Sequence, residues 1–187
     1  MAASSVAIVN STLIKIGSQP ITSLSDTTDR AILANEQYDK CRRDLLYSHP
    51  WNFAIARIEL ALNATAPINE WDGAYDLTTT VLRVLQINND SSIEWVVEGQ
   101  QILCNETTCK IKYIKDITDT SVFSKAFEEV LALRIAYDLS FALTENATQT
   151  ANLYKAYQDA LRAARSFDAQ EGSGPQVESD DFFNARL

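Results

Sequence analysis

The stretch SHPWNFAIAR, residues 48–57, constrains the fold more than any other, because the hydrophobic pattern changes its period there. Before it, apolar residues recur every three to four positions, which predicts helices. After it they alternate, which predicts strands. Pro50 ends the preceding helix, because a residue before proline is forced out of the helical region, and that residue is His49, the only histidine of the chain. The sequence therefore predicts a corner between a helical part and a β-rich part.

Helical periodicity predicts four helices, two on each side of the β-rich part. The first covers residues 4–16, and the second begins after a cap at Ser25 or Asp26. The third opens near residue 121 and is apolar over much of its circumference, which predicts a central position in a bundle. The fourth covers about 147–168.

The middle of the chain predicts short antiparallel strands that form a small sheet or an open barrel. Residues 88–92, NNDSS, predict the loop of a hairpin, and residues 71–77 contain a predicted turn. The strand-like runs begin at Phe53 and continue over 81–87, 93–99, 101–104 and 110–116.

The order of these elements predicts an α+β fold: an antiparallel helix bundle with helices from both ends of the chain, an inserted small antiparallel β lobe and an extended C-terminal tail. We expect residues 1–50 and 120–169 to form the bundle, 51–119 the lobe and 170–187 the tail. The first residues lack the basic start of a signal peptide, and no apolar run approaches the roughly 18 residues of a membrane span.

The charge and cysteine content narrow the classes of function. The net charge of −9 disfavours gripping a phosphate backbone, which needs clustered Lys and Arg. The two densest basic spots, Arg42–Arg43 and Arg162–Arg165, lie among acidic residues, so we interpret them as intersubunit or helix-end contacts. Three cysteines fit a reducing compartment, and the sequence leaves open whether Cys104 and Cys109 pair.

The motifs of enzymes are absent from the sequence: it has no GxSxG, HExxH, Walker or GxGxxG pattern. We expect no catalytic residue, no metal and no cofactor, since His49 is the only imidazole. One alternative is a tail-associated cell-wall hydrolase that uses an acidic pair such as Glu128–Glu129 or Asp180–Asp181. A second alternative is a small-ligand module lined by the chain's tryptophans, which are Trp51, Trp71 and Trp95.

The corner itself predicts a structural hinge formed by His49, Pro50, Trp51, Asn52 and Phe53. We expect Trp51 and Phe53 to wedge the bundle against the lobe, and Asn52 to hold the turn through side-chain hydrogen bonds.

Several motifs, among them IG-x-x-PI-x-SL at residues 16–24, R-x-LL-x-x-HPWNFA at residues 43–54 and LRVL at residues 82–85, occur in this order along the chain. Together they resemble the tail tubular protein A, or head-to-tail adaptor, family of T7-like short-tailed bacteriophages. The HPWNFA run is the most specific of them. The chain departs from the family's pattern at LTTT (77–80), where relatives tend to carry Leu-Pro and a charged turn. The matching segments are Ile16–Leu24, Arg43–Ala54, Arg57–Leu62, Ala74–Leu77, Leu82–Leu85, Glu98–Ile102 and Tyr113–Asp119.

The resemblance implies a structural virion protein at the head–tail junction, assembled in the host cytoplasm. It implies a homo-oligomeric ring, usually twelvefold, that joins the portal protein to the tail nozzle protein and continues the DNA channel without specific DNA binding or membrane contact. We expect the tail to dock on the portal or on a neighbouring subunit, with Phe182 and Phe183 as anchors and Arg186 as a polar contact.

Overall fold

The computed structural model describes residues 4–65, 67–68 and 70–172. That part of the chain contains four α-helices and two three-stranded antiparallel sheets, so the predicted α+β class is confirmed. The helices are α1 (Ser5–Ile16), α2 (Asp29–Ser48), α3 (Lys125–Thr144) and α4 (Ala147–Gln170). The strands are β1 (Ile55–Leu60), β2 (Gly73–Asp76), β3 (Val81–Ile87), β4 (Trp95–Glu98), β5 (Gln101–Cys104) and β6 (Cys109–Lys115).

The helix ends follow from local chemistry, with one correction. Helix α1 ends at Gly17, which adopts a φ of 84°, a left-handed conformation that favours glycine. The predicted cap of α2 at Ser25 or Asp26 is wrong, because Thr28 occupies the N-cap position, where its side chain forms no capping hydrogen bond. The Asp26 carboxylate instead accepts the backbone N–H groups of Thr22 and Ser23, so it closes a turn three residues before the helix begins.

Helix α3 contacts each of the other three helices. Its buried residues face almost every direction around its axis, as the sequence predicts. Thr12 of α1 donates its hydroxyl to the backbone oxygen of Ala132 at 3.0 Å, which requires close approach of the two helices. The buried side chains of α3 are Phe127, Val130, Leu131, Ala132, Leu133, Ile135, Ala136, Leu139 and Ser140.

The strands form two sheets, and this pairing corrects two sequence-based predictions. The first sheet has the order β1-β6-β3 and the second the order β2-β5-β4. The segment 88–92 is therefore not the loop of a hairpin, because β3 pairs with β6 while β4 pairs with β5. Residues 71–77 contain strand β2 rather than only a turn. The local pattern does not show which strands pair. Side chains alternate in the same way whether the antiparallel partner of a strand is near or far along the sequence.

The alternation of β6 distributes its side chains between two hydrophobic cores. Ile111 and Tyr113 face the second sheet, in a core with Tyr75 and Ile102. Ile114 faces the opposite way and belongs to the core of the helices. The first sheet thus lies between the second sheet and the helices, and the helices cover only one end of its outer face.

The predicted division into bundle, lobe and tail stays a prediction. From residue 173 onward, the predicted tail lies outside the described residues. None of the helices in the described part of the chain combines the length and hydrophobicity needed to cross a membrane.

Candidate functional site

The corner at residues 49–53 lies where α2, α3 and the first sheet meet. The Trp51 side chain is fully buried and packs against the rings of His49, Phe53 and Phe127, with centroids 4.7, 6.3 and 5.2 Å away. Its indole N–H donates to the backbone oxygen of Leu45 at 3.0 Å, so this buried donor has a hydrogen-bond partner. The ring has no exposed face that could receive a small ligand at this point.

The corner is also tied to the far end of the chain through Asp168 on α4. The Asp168 carboxylate accepts the backbone N–H of Asn52 at 3.0 Å and lies 3.1 Å from Nε2 of His49. The Asn52 amide in turn donates to the backbone oxygen of Asp168 at 2.6 Å. Asn52 therefore bonds to α4, rather than only holding its own turn.

Sequence reasoning missed Asp168, which is 8% exposed and lies 116 residues after Asn52. One signal was available. An acidic residue in the last turn of a helix opposes the helix dipole, so it needs a compensating partner. Here the partners are the N–H of Asn52 and the ring of His49. Pro50 is half-buried between these two residues.

A second buried polar contact joins α2 to the end of β6. Arg42 is 3% exposed, and its guanidinium pairs with the Asp116 carboxylate and donates to the backbone oxygen of Ile117 at 2.7 Å. Arg43 reaches the same carboxylate at 3.3 Å from the exposed side. In place of the expected intersubunit or helix-end contact, the Arg42 guanidinium joins the middle of α2 to the segment after β6 of the same chain.

Two of the thiols, those of Cys41 and Cys109, do not have the properties of nucleophiles. Burial raises the pKa of Cys41 to about 12, and the neighbouring Asp138 carboxylate, 3.2 Å from Sγ, adds to the effect. Burial likewise raises the pKa of Cys109 to about 12, with the Cys104 thiol close by. A thiol with such a pKa is protonated at neutral pH, so it is a poor nucleophile and metal ligand. All three cysteines are free.

The acidic pair considered for hydrolysis is occupied by ion pairs. Glu128 lies 2.7 Å from Nζ of Lys125, and Glu129 lies 2.7 Å from Nζ of Lys15. Asp180 and Asp181 lie outside the described residues. Within residues 4–65, 67–68 and 70–172, no three His, Cys, Asp or Glu side chains are grouped so that they could hold a metal ion.

Among the exposed large apolar side chains, two pairs lie on different elements of the fold. The helix patch consists of Phe141 on α3 and Tyr154 on α4, which are 58% and 45% exposed. The lobe patch consists of Leu62 and Ile68, which are 57% and 88% exposed and follow β1. Phe141 lies about 24 Å along α3 from its first residue, the end that faces the corner. The helix patch is therefore on α3 and α4, away from the corner, whereas the lobe patch is on the segment that follows β1.

The residues predicted to contact partners through the tail, Phe182, Phe183 and Arg186, lie outside the described residues.

Comparison with known protein families gives one match that spans most of the chain. The family model described as Tail tubular protein matches residues 6–163. The search of curated proteins found no match.

Proposed function

This chain belongs to the tail tubular protein family, and on that basis we propose that it is the head-to-tail adaptor of a short-tailed bacteriophage. The family is one of structural proteins of the phage tail, so the protein is a virion tail protein. In the proposed role, copies of the chain form a ring, usually of twelve, between the portal and the tail nozzle protein. The ring continues the channel through which the DNA leaves the head.

The family match from residue 6 to residue 163 is the observation that carries this proposal, because it includes both the helices and the two sheets. A closed ring requires two different surfaces on each subunit, one of which contacts the other surface of the next copy. The helix patch and the lobe patch meet that requirement, since both expose large apolar side chains at separate places. We therefore propose that the helix patch of one copy contacts the lobe patch of its neighbour.

The net charge of −9 supports a channel that does not retain DNA. A surface with excess carboxylates repels the phosphate backbone, so the duplex passes without a binding free energy to overcome at each step. In this role the protein needs neither a cofactor nor a reactive group. Fluorescence anisotropy with a labelled duplex at physiological salt is expected to show no binding to the assembled ring.

The ring interface is tested by electron microscopy and sedimentation of the purified protein with and without the portal. The wild type is expected to give annular particles. Phe141→Lys introduces a charge into the helix patch and is expected to abolish the rings while circular dichroism stays unchanged. Ile14→Lys is the matched control, because Ile14 is an equally exposed helical residue on α1, outside both patches. Rings that survive Phe141→Lys, or are lost equally with Ile14→Lys, would refute the proposed interface.

We propose further that the tail supplies the contact with the portal, with Phe182 and Phe183 as anchors and Arg186 as a polar contact. The double variant Phe182→Ala/Phe183→Ala is expected to lower portal binding in a pull-down assay by at least tenfold, since aromatic anchors dominate such contacts. The control is Gln176→Ala in the same segment. Unchanged portal binding by the double variant would reject this role for the tail.

A further inference from the structure

The outer face of the first sheet carries a concentrated positive charge that the proposed ring does not use. Arg57 on β1 lies opposite Lys112 on β6, and Glu59 lies opposite Lys110 one pair further along. Residues facing each other across an antiparallel pair project from the same face. This face therefore places three cations beside one carboxylate, in a chain that is acidic as a whole.

These side chains border a cavity of about 380 Å³, which we call the cationic pocket. Its walls combine charge with apolar surface, because the aliphatic stems of Arg57, Lys110 and Lys112 line it beneath their charged ends. Glu59 offsets the charge only weakly, since it lies 3.9 Å from Nζ of Lys110. Neither Arg57 nor Lys112 forms an ion pair with any residue that the structure describes. The pocket is lined by Arg57, Ile58, Glu59, Asn88, Asn89, Lys110, Ile111 and Lys112.

The chemistry of this pocket matches one segment of the same chain. Residues 178–183, ESDDFF, contain three carboxylates followed at once by two phenylalanines. Carboxylates pair with Lys and Arg, and aromatic rings cover apolar walls and stack on guanidinium groups. A DNA backbone would use the cations alone and would leave the apolar wall of the pocket exposed. The mixed walls therefore favour the acidic-aromatic segment.

The length of the chain beyond α4 also permits this contact within one subunit. Helix α4 ends beside the corner, because Asp168 bonds to Asn52. Strand β1 leads from the corner to the pocket. The distance from Asn52 to Arg57 is at most about 17 Å, the fully extended length of five residues, because residues 52–54 form a 3-10 turn. The ten residues from Ser173 to Phe182 can extend up to about 33 Å, so the segment reaches the pocket of its own chain.

From these observations we infer that, before assembly, the acidic-aromatic segment 178–183 binds to the cationic pocket of its own subunit. The contact keeps the two phenylalanines of this segment covered until a partner competes for them. A tether of this length gives an effective concentration of about 1 mM, so an intrinsic dissociation constant of about 0.1 mM keeps the contact closed about nine-tenths of the time. This inference does not depend on the ring or on its number of subunits.

The test follows cleavage of the full-length protein by chymotrypsin after Phe182 and Phe183, with the products identified by mass spectrometry. A synthetic peptide of residues 171–187 gives the rate for the unbound segment. The wild-type protein is expected to be cleaved there about tenfold more slowly than the peptide, since about nine-tenths of the segment is bound. Equal rates for the protein and the peptide would overturn the inference.

Charge reversal identifies the surface that protects the segment. Lys110→Glu/Lys112→Glu is expected to raise the cleavage rate to that of the peptide, and Asp180→Lys/Asp181→Lys is expected to do the same. The combination of all four changes is expected to restore protection, because it exchanges the charges of the two sides. Lys115→Glu is the matched control: Lys115 is an exposed cation on the same strand but does not line the pocket.

Three results would contradict the inference. A cleavage rate unaffected by the Lys110→Glu/Lys112→Glu change would show that the pocket does not hold the segment, and a simultaneous loss of duplex binding would assign the pocket to DNA. Failure of the fourfold variant to restore protection would show that the segment and the pocket are not held together by pairing of their charges. Protection that disappears on tenfold dilution would place the segment on a neighbouring copy instead of its own.

Discussion

Replacing Asp168 by alanine tests whether α4 is fixed to the corner by the contacts described above. The substitution removes the acceptor of the Asn52 backbone N–H and the partner of the His49 ring, at 3.0 and 3.1 Å. A hydrogen bond to a charged group contributes about 1.5–3 kcal/mol, and a buried donor left without a partner costs a similar amount. Water can reach part of this site, because the Asn52 residue is exposed and the His49 side chain is 21% exposed.

With that solvent access taken into account, we expect Asp168→Ala to lower the free energy of unfolding by about 2 kcal/mol. For a chain of this size the melting temperature should fall by about 4–8 °C. Asp168→Asn retains one acceptor oxygen and should lose about half as much. The bond from the Asn52 amide to the backbone oxygen of residue 168 survives both substitutions, which limits the loss.

Urea denaturation followed by tryptophan fluorescence measures the effect, because the fully buried Trp51 packs against the His49 ring. Asp159→Ala is the control, since it removes an exposed carboxylate of α4 whose ion pair with Arg162 is also exposed. The control should change the free energy of unfolding by less than about 0.5 kcal/mol. If both alanine variants unfold at the same urea concentration, Asp168 does not fix the helix to the corner.

Three further predictions concern single sites. Arg42→Met should destabilise the protein by about 3 kcal/mol, since it leaves the Asp116 carboxylate without its buried partner. Arg43→Met removes an exposed cation and should cost less than about 1 kcal/mol. Equal urea midpoints for the two variants would contradict this. Glu145→Gly should stabilise the protein by about 0.5–1 kcal/mol, because Glu145 has a φ of 51°, a left-handed conformation that favours glycine. Gly17→Ala should destabilise it by about 1 kcal/mol, because Gly17 has a φ of 84°. If calorimetry shows melting temperatures that shift in the same direction for both variants, this explanation is refuted. Because burial raises the pKa of Cys41 from its usual value near 9 to about 12, its thiolate is scarce at pH 8. The stability that this protonated thiol provides is complete below about pH 9 and is lost progressively as the pH rises from there to about 12. All three cysteines are free and buried, so an aromatic disulfide reagent at pH 8 should detect them only after denaturation, and rapid reaction of the native protein would contradict this.

Periodicity identified the elements whose signal is local. The four helices, strand β3 and strand β6 have bounds within a few residues of those predicted, because each buries a stripe or a face that recurs along its own sequence. The motif around HPWNFA likewise gave the family, which the match over residues 6–163 supports. The cap of α2 was misplaced because Thr28 and Asp26 have similar local preferences.

The pairing of the strands was beyond the reach of the same reasoning. Alternation shows that a segment is a strand but does not identify its neighbour, so residues 88–92 looked like a hairpin loop although β3 pairs with β6. The contact of Asp168 with the corner could not be predicted for the same reason. An aspartate near the end of a helix has many possible partners, and the chain's path through three dimensions selects Asn52.

The sequence by itself determined where the four helices and most of the strands form, that the chain carries a net negative charge, and that the only histidine stands at a helix end. Tertiary structure alone decided that a sheet lies between the helices and a second sheet, and that Arg42 is satisfied by Asp116. The physical reason is the distance along the chain over which each effect acts. Backbone preference and hydrophobic spacing act over a few residues, whereas burial of a charge depends on groups that folding brings together from distant positions.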